Sequence, residues 1–146
     1  MKKFVLVAAI AGSLVSGQAI AACTTGTRLD AAAISKLLGG NTVCVPAGIP
    51  APDPMTWQEE HAGTSTSTTG ALIDFKRGAS TVDPTKTVGT WTVTGTGVGN
   101  SFVTHAYSGG GGSYTYSVHS IGGSIYGFCG AGPEIVARVK PGNGAC

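Results

Sequence analysis

Charge is the scarcest property of this chain. Only 11% of its 146 residues are Asp, Glu, Lys or Arg, and neither sign dominates. Lys2 and Lys3 account for the whole basic excess. Without them seven Lys or Arg stand against seven Asp or Glu, so the chain from residue 22 onward is neutral. A neutral chain with no basic stripe offers nothing to a phosphate backbone, and no nucleic-acid partner is expected. Also missing is any second long apolar stretch: after residue 21 nothing approaches the roughly 20 apolar residues of a membrane helix. No Cys-x-x-Cys redox pair occurs, no Gly-x-Ser-x-Gly elbow, and no Lys-Ser/Thr after the glycines Gly109 to Gly112. The usual thiol-redox, α/β-hydrolase and phosphate-loop signatures are therefore absent.

What is present begins with an export signal. Lys2-Lys3 form a basic start, Phe4 to Val15 an apolar run, and Ala19-Ile20-Ala21 a small-x-small cleavage site. Residues 1–21 thus read as a secretory signal peptide, and residues 22–146 as one domain, secreted or periplasmic. Ile20-Ala21-Ala22-Cys23 also resembles a lipoprotein box, so a lipid anchor at Cys23 is the minority reading. Parity opposes it. Cys23, Cys44, Cys129 and Cys146 make an even set, as a disulfide framework requires. Three pairings are open. The expectation adopted here is the local one, Cys23–Cys44 with Cys129–Cys146, each tying down one terminus.

Leu29 to Leu38 has apolar residues at helical spacing and ends in Gly39-Gly40, which predicts one short helix. The rest reads as strands: Thr42–Val45, Thr56–His61, Ala71–Arg77, Val88–Thr94, Phe102–Tyr107, Tyr114–His119, Ser124–Cys129 and Glu134–Val139. The connections are too short for parallel crossovers, so the pairing is expected to be antiparallel. The fold class is mainly β: a small, about eight-stranded barrel or sandwich preceded by one short N-terminal helix. Pro46 to Pro54 reads as a stiff extended loop, and His61 to Gly70 as a Ser/Thr-rich mobile one.

Four segments carry a resemblance. They are Gly40-Asn41-Thr42-Val43-Cys44, Trp57-Gln58-Glu59-Glu60-His61, Asp74-Phe75-Lys76-Arg77-Gly78 and Asp83 through Trp91. Together they resemble a group of small exported bacterial proteins of unassigned function, lipocalin-like in outline. Gly89-Thr90-Trp91 is similar to the Gly-x-Trp of lipocalins. The resemblance implies a barrel and names no ligand.

The densest polar cluster is Trp57-Gln58-Glu59-Glu60-His61. On a strand, Trp57, Glu59 and His61 share one face and are the candidate ligand-binding residues. The barrel end formed by the His61–Gly70 loop is the expected place for a site. No catalytic residue and no cofactor is assigned, and the leading expectation is a non-enzymatic binding module for a small molecule or a partner surface. Two alternatives stay open at this point. One is a small enzyme using Glu59, His61 and Asp74, or a metal protein using His61, His105 and His119. The other is a purely structural or inhibitory domain. Tyr107, Tyr114, Tyr116 and Tyr126 suit either cross-strand packing or a pocket wall.

Overall fold

A computed structural model describes residues 21–48, 57–75 and 86–146. The signal-peptide expectation falls almost entirely on residues 1–20, outside the described residues, as do most of the proline-rich loop and Lys76-Arg77. The chain opens with a single helical turn, α1 (Ala22–Thr25), and a two-residue strand, β1 (Thr27–Arg28). Helix α2 (Ala31–Leu38) follows, two residues shorter than its pattern predicts. Asp30 decides the start: its carboxylate accepts from the Ala33 N–H at 2.8 Å, an N-cap bond that fixes Asp30 outside the helix.

Eight strands complete the fold: β2 (Thr42–Val45), β3 (Trp57–His61), β4 (Thr69–Asp74), β5 (Lys86–Thr94), β6 (Phe102–Tyr107), β7 (Gly112–Gly122), β8 (Ile125–Cys129) and β9 (Ile135–Lys140). Each pairs antiparallel with the next, and β9 returns to β2. The result is a closed eight-stranded antiparallel barrel, which leaves no free edge among these strands. Strand β1 pairs outside this circuit, laying Thr27-Arg28 along Ser120-His119 of β7.

Period-two alternation sorts the side chains. Trp91 and Val93 of β5, Val103 and His105 of β6, Val118 of β7, Phe128 of β8 and Val139 of β9 are buried in the interior. Helix α2 covers one end of the barrel with Ile34 and Leu38, both fully buried. It is fastened there by main-chain bonds: Gly40 N–H donates to the His61 carbonyl, and His61 N–H donates to that of Asn41. A helix of eight residues is too short to persist alone, so this apolar seat is what maintains it. Gly70 faces Trp91 across β4–β5. A Cβ there would lie 2.7 Å from the indole Nε1 and closer still to the Ala62 carbonyl, which accepts the indole N–H at 3.2 Å.

The local disulfide expectation is overturned. Cys23 bonds Cys129 and Cys44 bonds Cys146, across 106 and 102 residues of sequence. Barrel closure is the reason. It sets α1 against β7 and β8, and brings the C-terminal tail back over β2, where Cys146 N–H donates to Gln58 Oε1 at 2.9 Å. Each bridge therefore joins opposite halves of the chain. A Cys23 sulfur bonded to Cys129 cannot also carry a lipid, so this bridge and the minority lipid-anchor reading are mutually exclusive. Gly127 admits the first turn: a Cβ there would lie 2.5 Å from that of Ala22.

Candidate functional site

The barrel has two unlike ends. At the α2 end lies a cleft of about 400 Å³ between the helix and the 62–68 connection. Its lining includes Ala31, Ser35, Ser65, Thr66 and Thr68, with no ionisable side chain. The connection is a turn closed by Ser67 Oγ accepting from the Thr64 N–H at 2.9 Å. This is the end at which sequence reasoning places the site, and Trp57, Glu59 and His61 do not line it.

The opposite end holds a cavity of about 470 Å³ lined by Val45, Trp57, Glu59, Tyr107, Gly111, Tyr114, Tyr116 and Ile135. A second cleft, of about 530 Å³, shares Tyr114, Tyr116 and Ile135 with it and extends over Ala131-Gly132-Pro133. The register explains why these residues meet. Val43 and Val45 of β2 lie opposite Glu59 and Trp57 of β3, placing all four on the inner face. Strand β6 then contributes Tyr107 and the β6–β7 hairpin contributes Tyr114. The reversal of ends has a simple cause: β3 runs toward α2, so Trp57, at its start, stands at the far rim while His61, at its end, reaches the helix.

Glu59 is the buried carboxylate of this cavity. Tyr107 Oη donates to its Oε2 at 2.9 Å. Burial dominates its acid–base behaviour and lifts the carboxyl pKa from 4.5 to about 7; hydrogen bonds from Trp57 and Tyr107 pull it down, and Asp74 pushes it up again. Asp74 of β4 lies directly opposite Glu59 of β3, while Glu60 faces the other way. Burial also raises the Tyr107 phenol, helped by the neighbouring Glu59 charge, and raises that of Tyr116.

Beneath the cavity lie His61 and His105, both fully buried, with their Nε2 atoms 3.0 Å apart. One imidazole donates to the other, so the accepting ring is neutral, with the lone pair of its Nε2 free to accept. Burial holds His61 well below its ordinary range, reinforced by His105, and holds His105 near 4. His105 packs edge-on against Trp57 at 5.4 Å and tilts against Tyr116 at 5.6 Å, forming the aromatic floor below the cavity. His61 packs on Trp91 at 5.5 Å.

The three-histidine site is not assembled. His119 lies outside the barrel interior under the N-terminal segment, held by Ser117 Oγ at 3.1 Å and the Gly26 carbonyl at 3.4 Å. Strand parity decides this: Val118 points inward, so His119 cannot. Among the described residues no group of three or more His, Cys, Asp or Glu is placed to hold a metal ion. Of the Glu59, His61 and Asp74 set, the two carboxylates are cross-strand neighbours on β3 and β4. Glu59 lines the cavity, but His61 Nε2 is engaged by His105 below it. Sequence reasoning missed the pairing of His61 with His105 alone, and missed Tyr107 as the partner of Glu59. Both need the register Trp91↔His105 and Gly89↔Tyr107, which no local pattern encodes.

These groups give stability opposing pH dependences. Glu59 has a raised pKa in the fold, so between pH 7 and 4.5 the folded chain holds a proton the unfolded chain lacks, and acidification stabilises. The effect is about 3 kcal/mol across that window. His61 and His105 have lowered values, so stability is lost as pH falls below 6.5, down to about 4 for His105. In Glu59→Gln only the histidine loss remains. Urea melts at about pH 7.5 and about pH 4.5 should show this variant losing about 3 kcal/mol more than wild type on acidification. Equal losses would refute the burial assigned to Glu59.

No family model, curated protein or solved structure shows a significant match to this chain.

Proposed function

We propose that this protein is a non-enzymatic binding module that takes one small, largely apolar molecule into the cavity opposite α2. The observation that carries the reading is the cavity itself: about 470 Å³, walled by Trp57, Tyr107, Tyr114 and Tyr116 with Val45 and Ile135, around a single carboxylate. Ligand sites characteristically occupy 300–1,000 Å³ and combine apolar walls with few polar groups. A rigid closed barrel with one end covered by a helix and the other open is a suitable frame for such a site, in keeping with a lipocalin-like outline.

Export belongs to the same reading. Ala22 is fully buried, and its backbone N–H lies on Glu134 Oε1. Cleavage after Ala21 would place a new α-ammonium on that carboxylate, a contact the uncut chain makes only with a neutral amide. Two disulfides suit the oxidising compartment such a leader implies. N-terminal sequencing of protein purified from the medium or periplasm should begin at Ala22; a mature start elsewhere would remove this support.

Binding is tested with N-phenyl-1-naphthylamine, a neutral probe that fluoresces in apolar sites. Saturable enhancement at one probe per chain is expected for wild type, and its loss in Ile135→Trp, which fills the cavity from β9. Absence of enhancement, or full retention in Ile135→Trp, would overturn the proposal.

A further inference from the structure

We propose that the natural ligand is an organic cation, a primary amine or quaternary ammonium on an apolar body, whose charge sits at Glu59 among the rings of Trp57, Tyr107, Tyr114 and Tyr116. This rests on the cavity being the binding site and names the ligand chemistry.

The first argument is charge. A carboxylate 4% exposed is costly unless neutralised. Among the described residues its polar partners are Tyr107 and Trp57, and neither of them is a Lys or Arg. The cavity thus presents a buried carboxylate to whatever enters it. A ligand cation would take the place of the proton and relieve the desolvation of the carboxylate.

The second argument is independent of charge and concerns the walls. Tyr107 and Tyr114 lie at 5.9 Å between centroids with planes 65° apart, and Trp57 is inclined to the His105 ring that Tyr116 also contacts. Tyr107 and Tyr114 meet edge to face, and with Trp57 and Tyr116 they line the cavity around Glu59. Aromatic faces attract cations and surround ammonium groups in known recognition sites. They disfavour an inorganic cation. Calcium takes 6–8 oxygens and magnesium retains water, whereas this cavity offers one carboxylate and phenol oxygens within apolar walls. An ammonium carried on hydrocarbon satisfies the carboxylate, the ring faces and the apolar remainder together.

The test is calorimetric titration of the full mature chain with benzyltrimethylammonium, alongside the neutral naphthylamine probe. Wild type should bind the cation saturably, at one per chain. Glu59→Gln should weaken the cation about tenfold or more while leaving the neutral probe within about twofold. Tyr114→Ala removes an exposed rim ring without disturbing the core, and should also weaken the cation. If Glu59→Gln fails to fold, the Tyr114→Ala result decides. Unchanged cation affinity in the variants, with the neutral probe bound by all, overturns the cation proposal and leaves the cavity reading standing. Failure of both ligands to bind wild type overturns both.

Discussion

Replacing Cys23 and Cys129 together by Ser should lower stability by about 4 kcal/mol, and replacing Cys44 and Cys146 should do the same. In the chain-entropy model a bridge restricts the unfolded chain in proportion to the logarithm of the loop it closes, and loops of about 100 residues give 4–5 kcal/mol. These bridges span 106 and 102 residues, but the spans overlap, so with one in place the other closes a loop of about 40 residues, worth about 4 kcal/mol. Local bridges near twenty residues would each contribute about 3 kcal/mol, so the peptide map, not the size of the loss, distinguishes the pairings. Urea denaturation of each double variant, with a non-reducing peptide map of wild type, checks both points. A map joining Cys23 to Cys44 would refute the pairing, and no loss of stability in either variant would contradict the loop-closure argument. The m-value should rise in both variants, because an uncrosslinked unfolded chain exposes more surface.

The second large effect is expected at Trp91. Its side chain is fully buried, packs on His61 at 5.5 Å, and bonds the Ala62 carbonyl through Nε1. Truncating it to Ala should cost about 3–5 kcal/mol, combining lost burial with the cavity left behind. The orphaned Ala62 carbonyl adds to the loss. Trp57 offers the control. It lies at the rim, partly exposed, with one side on His105 and Phe128 and the other on the open cavity. Trp57→Ala should cost clearly less, and its main effect should be on ligand affinity. Equal urea midpoints for the two variants would contradict this assignment of core and rim.

The candidate site was only half legible in the sequence. Alternation alone puts Trp57, Glu59 and His61 on one face of a strand, and the structure keeps them there. It does not say which end of the barrel each approaches, because that depends on strand direction relative to α2. The cavity lined by Trp57 and Glu59 consequently lies opposite the His61–Gly70 loop. The histidines show the same limit. Separating His119 from His61 and His105 needs only the inward direction of Val118, yet bringing His61 onto His105 needs the register of three further strand pairs.

By itself the sequence determined the β class, the eight barrel strands to within a few residues, the helix α2 and the even cysteine set. Those features rest on local physics: period-two patterning, turn residues, apolar residues at helical spacing and a Gly39-Gly40 stop. Tertiary structure alone decided the disulfide partners, the His61–His105 contact, the Tyr107–Glu59 bond and the end at which the cavity opens. Each joins residues separated by tens of positions. Their meeting is set by ring closure between β2 and β9, a long-range event to which no short stretch of chain responds until the barrel forms.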